Sequence, residues 1–334
     1  MSLLINILLP IVPIYFLVTW LRNKLYDFNI FKSKSYEFPV ICVGNLSAGG
    51  TGKTPMTEYL ISLLKDNYKL SVLSRGYGRK TSGFILADTN SSAEKIGDEP
   101  FQFYTKFKDD IKVAVCENRQ NGIENLQAIQ ASDIILLDDA YQHRKVKAGF
   151  YILLTTYDNL YIDDMVLPTG DLREPRKGAE RANCVVVTKC PENLSNSKKN
   201  EIAQRLKLNP DQELYFSTIS YSTLIYSKKD SLKLEALKEK KFTLVTGIAN
   251  ASLLVDYLKK MHLNFEHLNY KDHHEFSGDE LKNLETKEFI LTTEKDYMRL
   301  ASKLKNKHLF YLPIHIEIDK KDLATSVVRF IESF

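Results

Sequence analysis

One stretch constrains the fold more than any other: Val43-Gly44-Asn45-Leu46-Ser47-Ala48-Gly49-Gly50-Thr51-Gly52-Lys53-Thr54. An apolar run over residues 38–43 precedes it and reads as a buried strand, and a helical pattern from Met56 to Leu64 follows. Strand, glycine-rich turn, Lys-Thr and helix make the layout of a phosphate-binding loop, which implies an α/β fold of the P-loop NTPase type. Glycines let backbone N–H groups point into a concavity without Cβ clashes, and the helix N-terminus adds partial positive charge. Ser47, Ala48, Gly49, Gly50, Thr51 and Gly52 would form the cradle. Lys53 would reach the β- and γ-phosphates of a nucleotide, and the Thr54 hydroxyl would ligate Mg²⁺. One position departs from the G-x-x-x-x-G-K-[ST] pattern: the first glycine should fall at 47, which is Ser47.

With 334 residues, the chain is long enough for two domains with sizeable cores. The spacing of elements predicts an N-terminal helix over 1–30, a P-loop domain over 31–213, a two-stranded connector over 214–238 and a smaller α/β domain over 239–334. A net charge of +4 gives no reason to expect nucleic acid. Four cysteines without C-x-x-C or zinc spacing read as reduced thiols. From Met1 to Leu21 no side chain is charged, and Arg22 and Lys24 follow at once. The basic residues lie after the apolar run, so a cleaved signal peptide is not expected. A helix that spans or lies in a membrane fits, with Arg22, Lys24, Lys32 and Lys34 on the cytoplasmic side. A helix docked on the core is the bland alternative.

Downstream, Ile134-Ile135-Leu136-Leu137-Asp138-Asp139 is an apolar run that ends in two acids. In a P-loop protein such a strand delivers carboxylates to Mg²⁺ at the sheet's C-terminal edge, and Asp138 and Asp139 are the metal candidates. Gly97-Asp98-Glu99-Pro100 is a turn opening a helix, with Pro100 at the first helical position. Two lobes around a nucleotide site suggest phosphoryl transfer, which needs cationic clamps and a group to orient or deprotonate an acceptor hydroxyl. Asp98 and the histidines of Asp272-His273-His274 are candidates for that group. Thr188-Lys189-Cys190-Pro191 sits where GTPases carry N-K-x-D but lacks the asparagine and the aspartate, so guanine selectivity is not expected.

The phosphate loop, Gly44-Asn45-Leu46-Ser47-x-Gly49-Gly50-x-Gly52-Lys53-Thr54-Pro55, resembles that of the tetraacyldisaccharide 4'-kinase family. Further matches follow in order: Ser74-Arg75-Gly76-Tyr77-Gly78, Gly97-Asp98-Glu99-Pro100, Asn118-Arg119, Asp138-Asp139 with Gln142-His143, Leu167-Pro168-x-Gly170-x-Leu172-Arg173-Glu174-Pro175, Asp272-His273 and Thr292-Thr293-Glu294-Lys295-Asp296. Ser47 is the expected residue there, and the apolar N-terminal helix matches too. One departure stands out: the family usually reads Asp-Asp-Gly-Phe-Gln-His where this chain has Ala140 and Tyr141.

The resemblance implies a lipid kinase that uses ATP and Mg²⁺. Its acceptor would be the 4'-hydroxyl of an acylated glucosamine disaccharide 1-phosphate, at the cytoplasmic face of a Gram-negative inner membrane. It names no protein partner. It implies Asp98 as the base with His273 beside it, and Lys53 on the phosphates. Thr54, Asp138, Asp139 and Glu99 would serve the metal, and Asn118, Arg119, Arg75, Arg173 and Arg176 the substrate. Two other readings compete. A membrane-associated partitioning-type ATPase would share the G-G-x-G-K-T core, but its signature lysine would sit at Ala48. A non-catalytic nucleotide fold is opposed by the intact Lys53, Thr54, Asp138 and Asp139.

Overall fold

The computed structural model describes residues 11–305, 308–318 and 322–334. Helix α1 (Ile11–Asp27) opens the described chain, strand β1 (Val40–Asn45) runs into the glycine-rich loop, and α2 (Lys53–Leu64) leaves it. Next come β2 (Leu70–Ser74), β3 (Ile85–Leu86), α3 (Ala93–Ile96), α4 (Asp98–Phe107), β4 (Ile111–Val115), α5 (Arg119–Ile129) and β5 (Ile134–Asp138). The large lobe continues through β6 (Phe150–Thr156), β7 (Cys184–Thr188), α6 (Asn196–Leu206) and β8 (Glu213–Tyr221). The small lobe holds β9 (Leu224–Tyr226), β10 (Ser231–Lys233), β11 (Phe242–Thr246), α7 (Ser252–Lys260), β12 (Phe265–Asn269), α8 (Gly278–Glu285), β13 (Ile290–Thr293), α9 (Glu294–Leu300) and β14 (Leu309–Leu312). Strand β15 (Ile314–Ile318) and α10 (Asp322–Ile331) end the chain.

The larger sheet has the order β15-β8-β7-β6-β1-β5-β2-β4-β3. Strands β8 through β4 run parallel, and β15 and β3 are antiparallel edges. Its central strands are apolar on both faces, as a doubly covered parallel sheet requires. Adjacent residues of β1 feed opposite cores: Val40 and Cys42 pack with α5 and α6, while Ile41 and Val43 pack with α2, α4 and α10. Helix α2 presents Met56, Leu60, Ile61 and Leu64, all fully buried, at helical spacing. Each such side chain contributes roughly 2 kcal/mol of burial. The smaller sheet has the order β10-β9-β14-β13-β11-β12, with β14, β13, β11 and β12 parallel.

The two strands expected between the lobes form, and each belongs to a different sheet. The stretch 213–226 does not pair with itself: β8 joins the large sheet beside β7, and β9 joins the small sheet beside β14. The strand that returns alongside β8 is β15. Pro313 separates β14 from β15; it has no N–H to extend the small-sheet ladder, and the chain changes sheets there. The last helix, expected in the small lobe, packs on the large one through Leu323, Val327 and Ile331.

At the N-terminus, α1 lays Val12 and Tyr15 on the large core and leaves Ile14, Leu17, Val18 and Leu21 exposed. No helix among the described residues is long and apolar enough to cross a membrane. The apolar segment expected from Met1 begins in residues 1–10, outside the described ones.

Candidate active site

The glycine-rich loop leaves the C-terminal end of β1 and is tied down on three sides. Asn45 Nδ2 donates to Thr51 Oγ1 at 2.8 Å, and Thr188 Oγ1 from β7 donates to the Thr51 carbonyl at 2.8 Å. On the third side Ser47 bridges Leu172 in antiparallel fashion, and Ala48 N donates to the Asp171 carbonyl at 2.6 Å. Strand-like pairing explains the serine: the positive φ angles fall at Gly49 (114°) and Gly52 (88°), so position 47 needs no glycine. Lys53 and Thr54 open α2, where the helix N-terminus faces the loop.

Beside the loop, β5 delivers the two acids, with Asp138 in register with Val43 of β1. Asp138 is 6% exposed and accepts from Ser74 Oγ at 3.0 Å. Burial, with Asp139 and Glu99 close by, pushes its carboxyl up to about 6. Asp139 goes the other way. Burial opposes its charge too, but Lys53 and Arg173 outweigh it and hold the carboxyl below its ordinary value. Lys53 Nζ lies 3.7 Å from Asp139 Oδ1, and Arg173 Nη1 donates to the same oxygen at 3.0 Å. Asp139 itself carries the left-handed backbone, φ 48°. Ala140 has no positive φ, so alanine in place of the family's glycine costs no strain there. Tyr141 keeps the ring and adds a hydrogen bond from its hydroxyl to the Gly178 carbonyl at 2.8 Å. Gly44 permits this packing, because a Cβ there would meet Tyr141 Cβ at 2.6 Å.

The small lobe completes the cleft. Its His273 Nδ1 lies 3.0 Å from Asp98 Oδ2, at the first turn of α4 in the large lobe. Arg299 on α9 donates through Nε to the same Oδ2 at 2.8 Å and is itself braced by Asp296 at 3.2 Å. Asp296 is fully buried and takes hydrogen bonds from Gly247 N and Thr293 Oγ1. Burial works against a charged Asp98, but the hydrogen bonds from His273 and Arg299 prevail and hold its carboxyl at about 2. Tyr77, 70% exposed, sets its ring edge against His273 with centroids 5.6 Å apart.

Residues 4–332 match the tetraacyldisaccharide-1-P 4'-kinase family. The chain belongs to this family. A tetraacyldisaccharide 4'-kinase of Flavobacterium johnsoniae is 54% identical over 99% of this chain and 98% of its own length. One of Flavobacterium psychrophilum is 47% identical over 100% and 98%, and one of Bacteroides thetaiotaomicron 45% identical over 93% and 88%. A crystal structure of LpxK from Aquifex aeolicus in complex with ATP superposes with a TM-score of 0.79. It is 28% identical to this chain and covers 98% of it and 99% of the crystallised chain. Membership in a kinase family displaces the partitioning-type reading.

Within the family frame, several site residues sit differently from expectation. Asn118 caps α5, its side-chain oxygen accepting from Gln120 N and Asn121 N. Arg119 is 2% exposed and donates to the Cys116 carbonyl at 2.9 Å, so it lies beneath the acids and not on a substrate surface. Arg173 is drawn to Asp139, and Arg176 donates to the Asp164 carbonyl at 3.0 Å through Nε. Arg75 is exposed at the end of β2. Glu99 pairs with Lys295 Nζ at 2.9 Å.

The metal candidates offer hard oxygen donors: the Thr54 hydroxyl and the Asp138 and Asp139 carboxylates. No group of three or more His, Cys, Asp and Glu side chains converges on one point among the described residues. Burial first, then the neighbouring charges of Asp139 and Glu99, raises the Asp138 carboxyl, and a dication held there would favour its charged form.

Sequence reasoning missed Arg299, Lys295 as a partner of Glu99, and the support around Glu174. Glu174 is 1% exposed and accepts from Arg181 Nη2 at 2.7 Å, from Gln142 Nε2 at 3.0 Å and from Asn23 Nδ2 of α1 at 2.6 Å. The Leu-Arg-Glu-Pro motif signals Glu174, but nothing local signals its partners.

Proposed function

We propose that the chain is an ATP-dependent lipid kinase that phosphorylates the 4'-hydroxyl of tetraacyldisaccharide 1-phosphate, a step of lipid A synthesis. The observation that carries this reading is the 3.0 Å contact between Asp98 of the large lobe and His273 of the small lobe, across the cleft from the phosphate loop. Lys53 and the loop N–H groups bind the transferring phosphoryl group and offset charge that builds on its oxygens. Asp138, Asp139 and the Thr54 hydroxyl would hold Mg²⁺, which would supply positive charge to offset that of the phosphates.

His273 and Arg299 both occupy Asp98 Oδ2, and among the described residues Oδ1 takes no hydrogen bond. Oδ1 is therefore the oxygen for the acceptor hydroxyl. A carboxylate held at about 2 is a weak base. In a loose phosphoryl-transfer transition state little proton removal is needed early, so Asp98 acts first by orienting the hydroxyl. The acceptor lipid reaches the site from the cytoplasmic face of the inner membrane. The exposed apolar side of α1 supports that placement, with Arg22 and Lys24 behind it.

The test is an assay with ATP, Mg²⁺ and a panel of acylated disaccharides, with product mass locating the new phosphate. The expected product carries it on the 4'-hydroxyl. Asp98→Asn should slow transfer at least ~10²-fold and Lys53→Ala ~10²–10³-fold. Near-normal transfer by either variant, or equal ATP consumption without the lipid, would overturn the reading.

A further inference from the structure

Lys295 Nζ lies 3.1 Å from His273 Nε2 as well as 2.9 Å from Glu99 Oε1. An ammonium has three donors and no acceptor, so a hydrogen bond between them needs the lone pair on Nε2. On the other side of the ring, Nδ1 lies 3.0 Å from Asp98 Oδ2 and 3.0 Å from Arg299 Nη2. A neutral imidazole can satisfy these neighbours in two ways. If Nδ1 accepted from Arg299, the ring proton would sit on Nε2 and point at Lys295, donor against donor, and Asp98 would lose its imidazole. If Nδ1 carries the proton, it donates to Asp98 and Nε2 accepts from Lys295. Arg299 Nη2 then lies near Nδ1 only because both converge on the same carboxylate oxygen. The second arrangement satisfies two of the three contacts, with Asp98 and Lys295, and Arg299 Nη2 keeps its own acceptor in Asp98 Oδ2; the first satisfies only the contact with Arg299.

We propose that Lys295 is a positioning residue that locks His273 in the Nδ1–H tautomer, making the imidazole a fixed donor to Asp98 and not a proton relay. The proposal goes beyond the kinase reading and rests on it only for the role of Asp98. A ring nitrogen that already holds a proton cannot take one from Asp98. As the acceptor O–P bond forms and the Pγ–O bond to ADP breaks, the hydroxyl proton therefore goes to Asp98 Oδ1 and none passes through the ring. Lys295 is well placed for this. It is the second residue of α9, a helix capped by Thr293, and Glu99 restrains its ammonium from the facing lobe. Glu99 thereby acts on His273 through Lys295, a coupling that neither the Gly-Asp-Glu-Pro nor the Thr-Glu-Lys-Asp segment reveals alone.

The experiment uses the full chain in detergent micelles with ¹⁵N-labelled histidine. Long-range ¹H–¹⁵N correlations distinguish the two tautomers, and His273→Gln assigns the signal by its disappearance. The wild-type His273 should show the Nδ1–H pattern. Lys295→Met should shift it toward Nε2–H, and Lys295→Arg, which still donates, should retain Nδ1–H. In turnover, Lys295→Met should lower kcat by ~10-fold or more with KM for ATP changed less than ~3-fold, and Lys295→Arg should recover most of the loss. An Nε2–H signal in the wild type overturns the proposal without any variant, so a misfolded Lys295→Met does not rescue it. An unchanged tautomer in folded Lys295→Met overturns it equally. The tautomer is read without turnover, so failure of the kinase reading itself would show separately, as absent lipid phosphorylation.

Discussion

Glu294→Gln tests the buried charge that joins the two lobes. Glu294 on α9 and Glu58 on α2 are 5% and 6% exposed, and a single cation, Lys106 on α4, reaches both, at 3.2 and 2.8 Å. Burial, then repulsion by Glu58, raises the Glu294 carboxyl from 4.5 to about 7 against the pull of Lys106. Between those two values the folded protein holds a proton that the unfolded chain has released. The unfolded state binds fewer protons, so stability falls as pH rises. The contribution is complete below pH 4.5 and lost once the pH passes 7. At about 1.4 kcal/mol per pH unit the loss is on the order of 3 kcal/mol. Glutamine imitates the protonated acid at every pH and escapes it. Thermal unfolding of both proteins between pH 5 and 8 reads the effect of the Glu294–Glu58 pair, because titrating groups that do not interact with Glu294 cancel in the difference. Glu294→Gln should melt close to wild type at pH 5 and a few °C above it at pH 8, following roughly 1–2 °C per kcal/mol in a chain of this length. A difference that stays flat with pH would show that Glu294 is ionised throughout and that the reasoning fails.

Two further outcomes are expected. Gly44→Ala should lose about 1–3 kcal/mol in denaturant unfolding, since the new Cβ would sit 2.6 Å from Tyr141 Cβ and 3.1 Å from Tyr141 N; Tyr141→Ala keeps both atoms, so it should not relieve the loss. Glu174→Gln should lower stability by about 3 kcal/mol and also slow phosphoryl transfer, because it leaves the buried Arg181 guanidinium short of its counter-charge beside the loop that carries Arg173; thermal melts and the lipid assay check both.

The residues that chemistry demands were legible wherever local pattern encodes them. The loop at 49–54, the acids after β5 and the Asp98 turn each combine special backbone with an element boundary, and those combinations survive in a linear string. What pairs across space was not. Arg299 lies 201 positions from Asp98 in the chain, and its role follows from α9 packing against α4, which periodicity cannot express. The pairings of the connector strands were hidden for the same reason. Residues 213–221 and 224–226 both read as strands, and both are, but the choice of partner belongs to the sheet edges, where β15 and β14 wait some 90 residues downstream. Ile314, Ile316 and Ile318 alternate as a strand should, yet the following amphipathic helix made the whole tail look like one continuous unit of the small lobe. At Asn118 and Arg119 the motif hid a structural tie: one residue caps a helix and the other is buried and donates to the Cys116 carbonyl.

Helix α1 works on two faces at once. Toward the protein, the Tyr15 hydroxyl donates to the Arg173 carbonyl at 2.9 Å, Arg22 to the Gln142 carbonyl at 2.7 Å and Asn23 to Glu174 at 2.6 Å. Those partners are the ones that reach the phosphate loop: Arg173 through Asp139, and Gln142 through the Asn45 carbonyl at 2.8 Å. Toward solvent, the same helix leaves Ile14, Leu17, Val18 and Leu21 exposed. Arg144 adds two more contacts to the helix, donating to the Asn23 carbonyl and to Asp27, both at 2.8 Å, and each of these hydrogen bonds contributes about 1 kcal/mol. Burial of the exposed face in lipid, each large side chain contributing roughly 2 kcal/mol, would add more than the bonds provide. Under the proposed membrane association, the bilayer therefore steadies the helix that steadies Arg173, and through it the orientation of Asp139. On that proposal, the surface that would meet the lipid and the contacts that shape the phosphate site are two sides of one helix, which would tie the geometry of the reaction to the place of its acceptor.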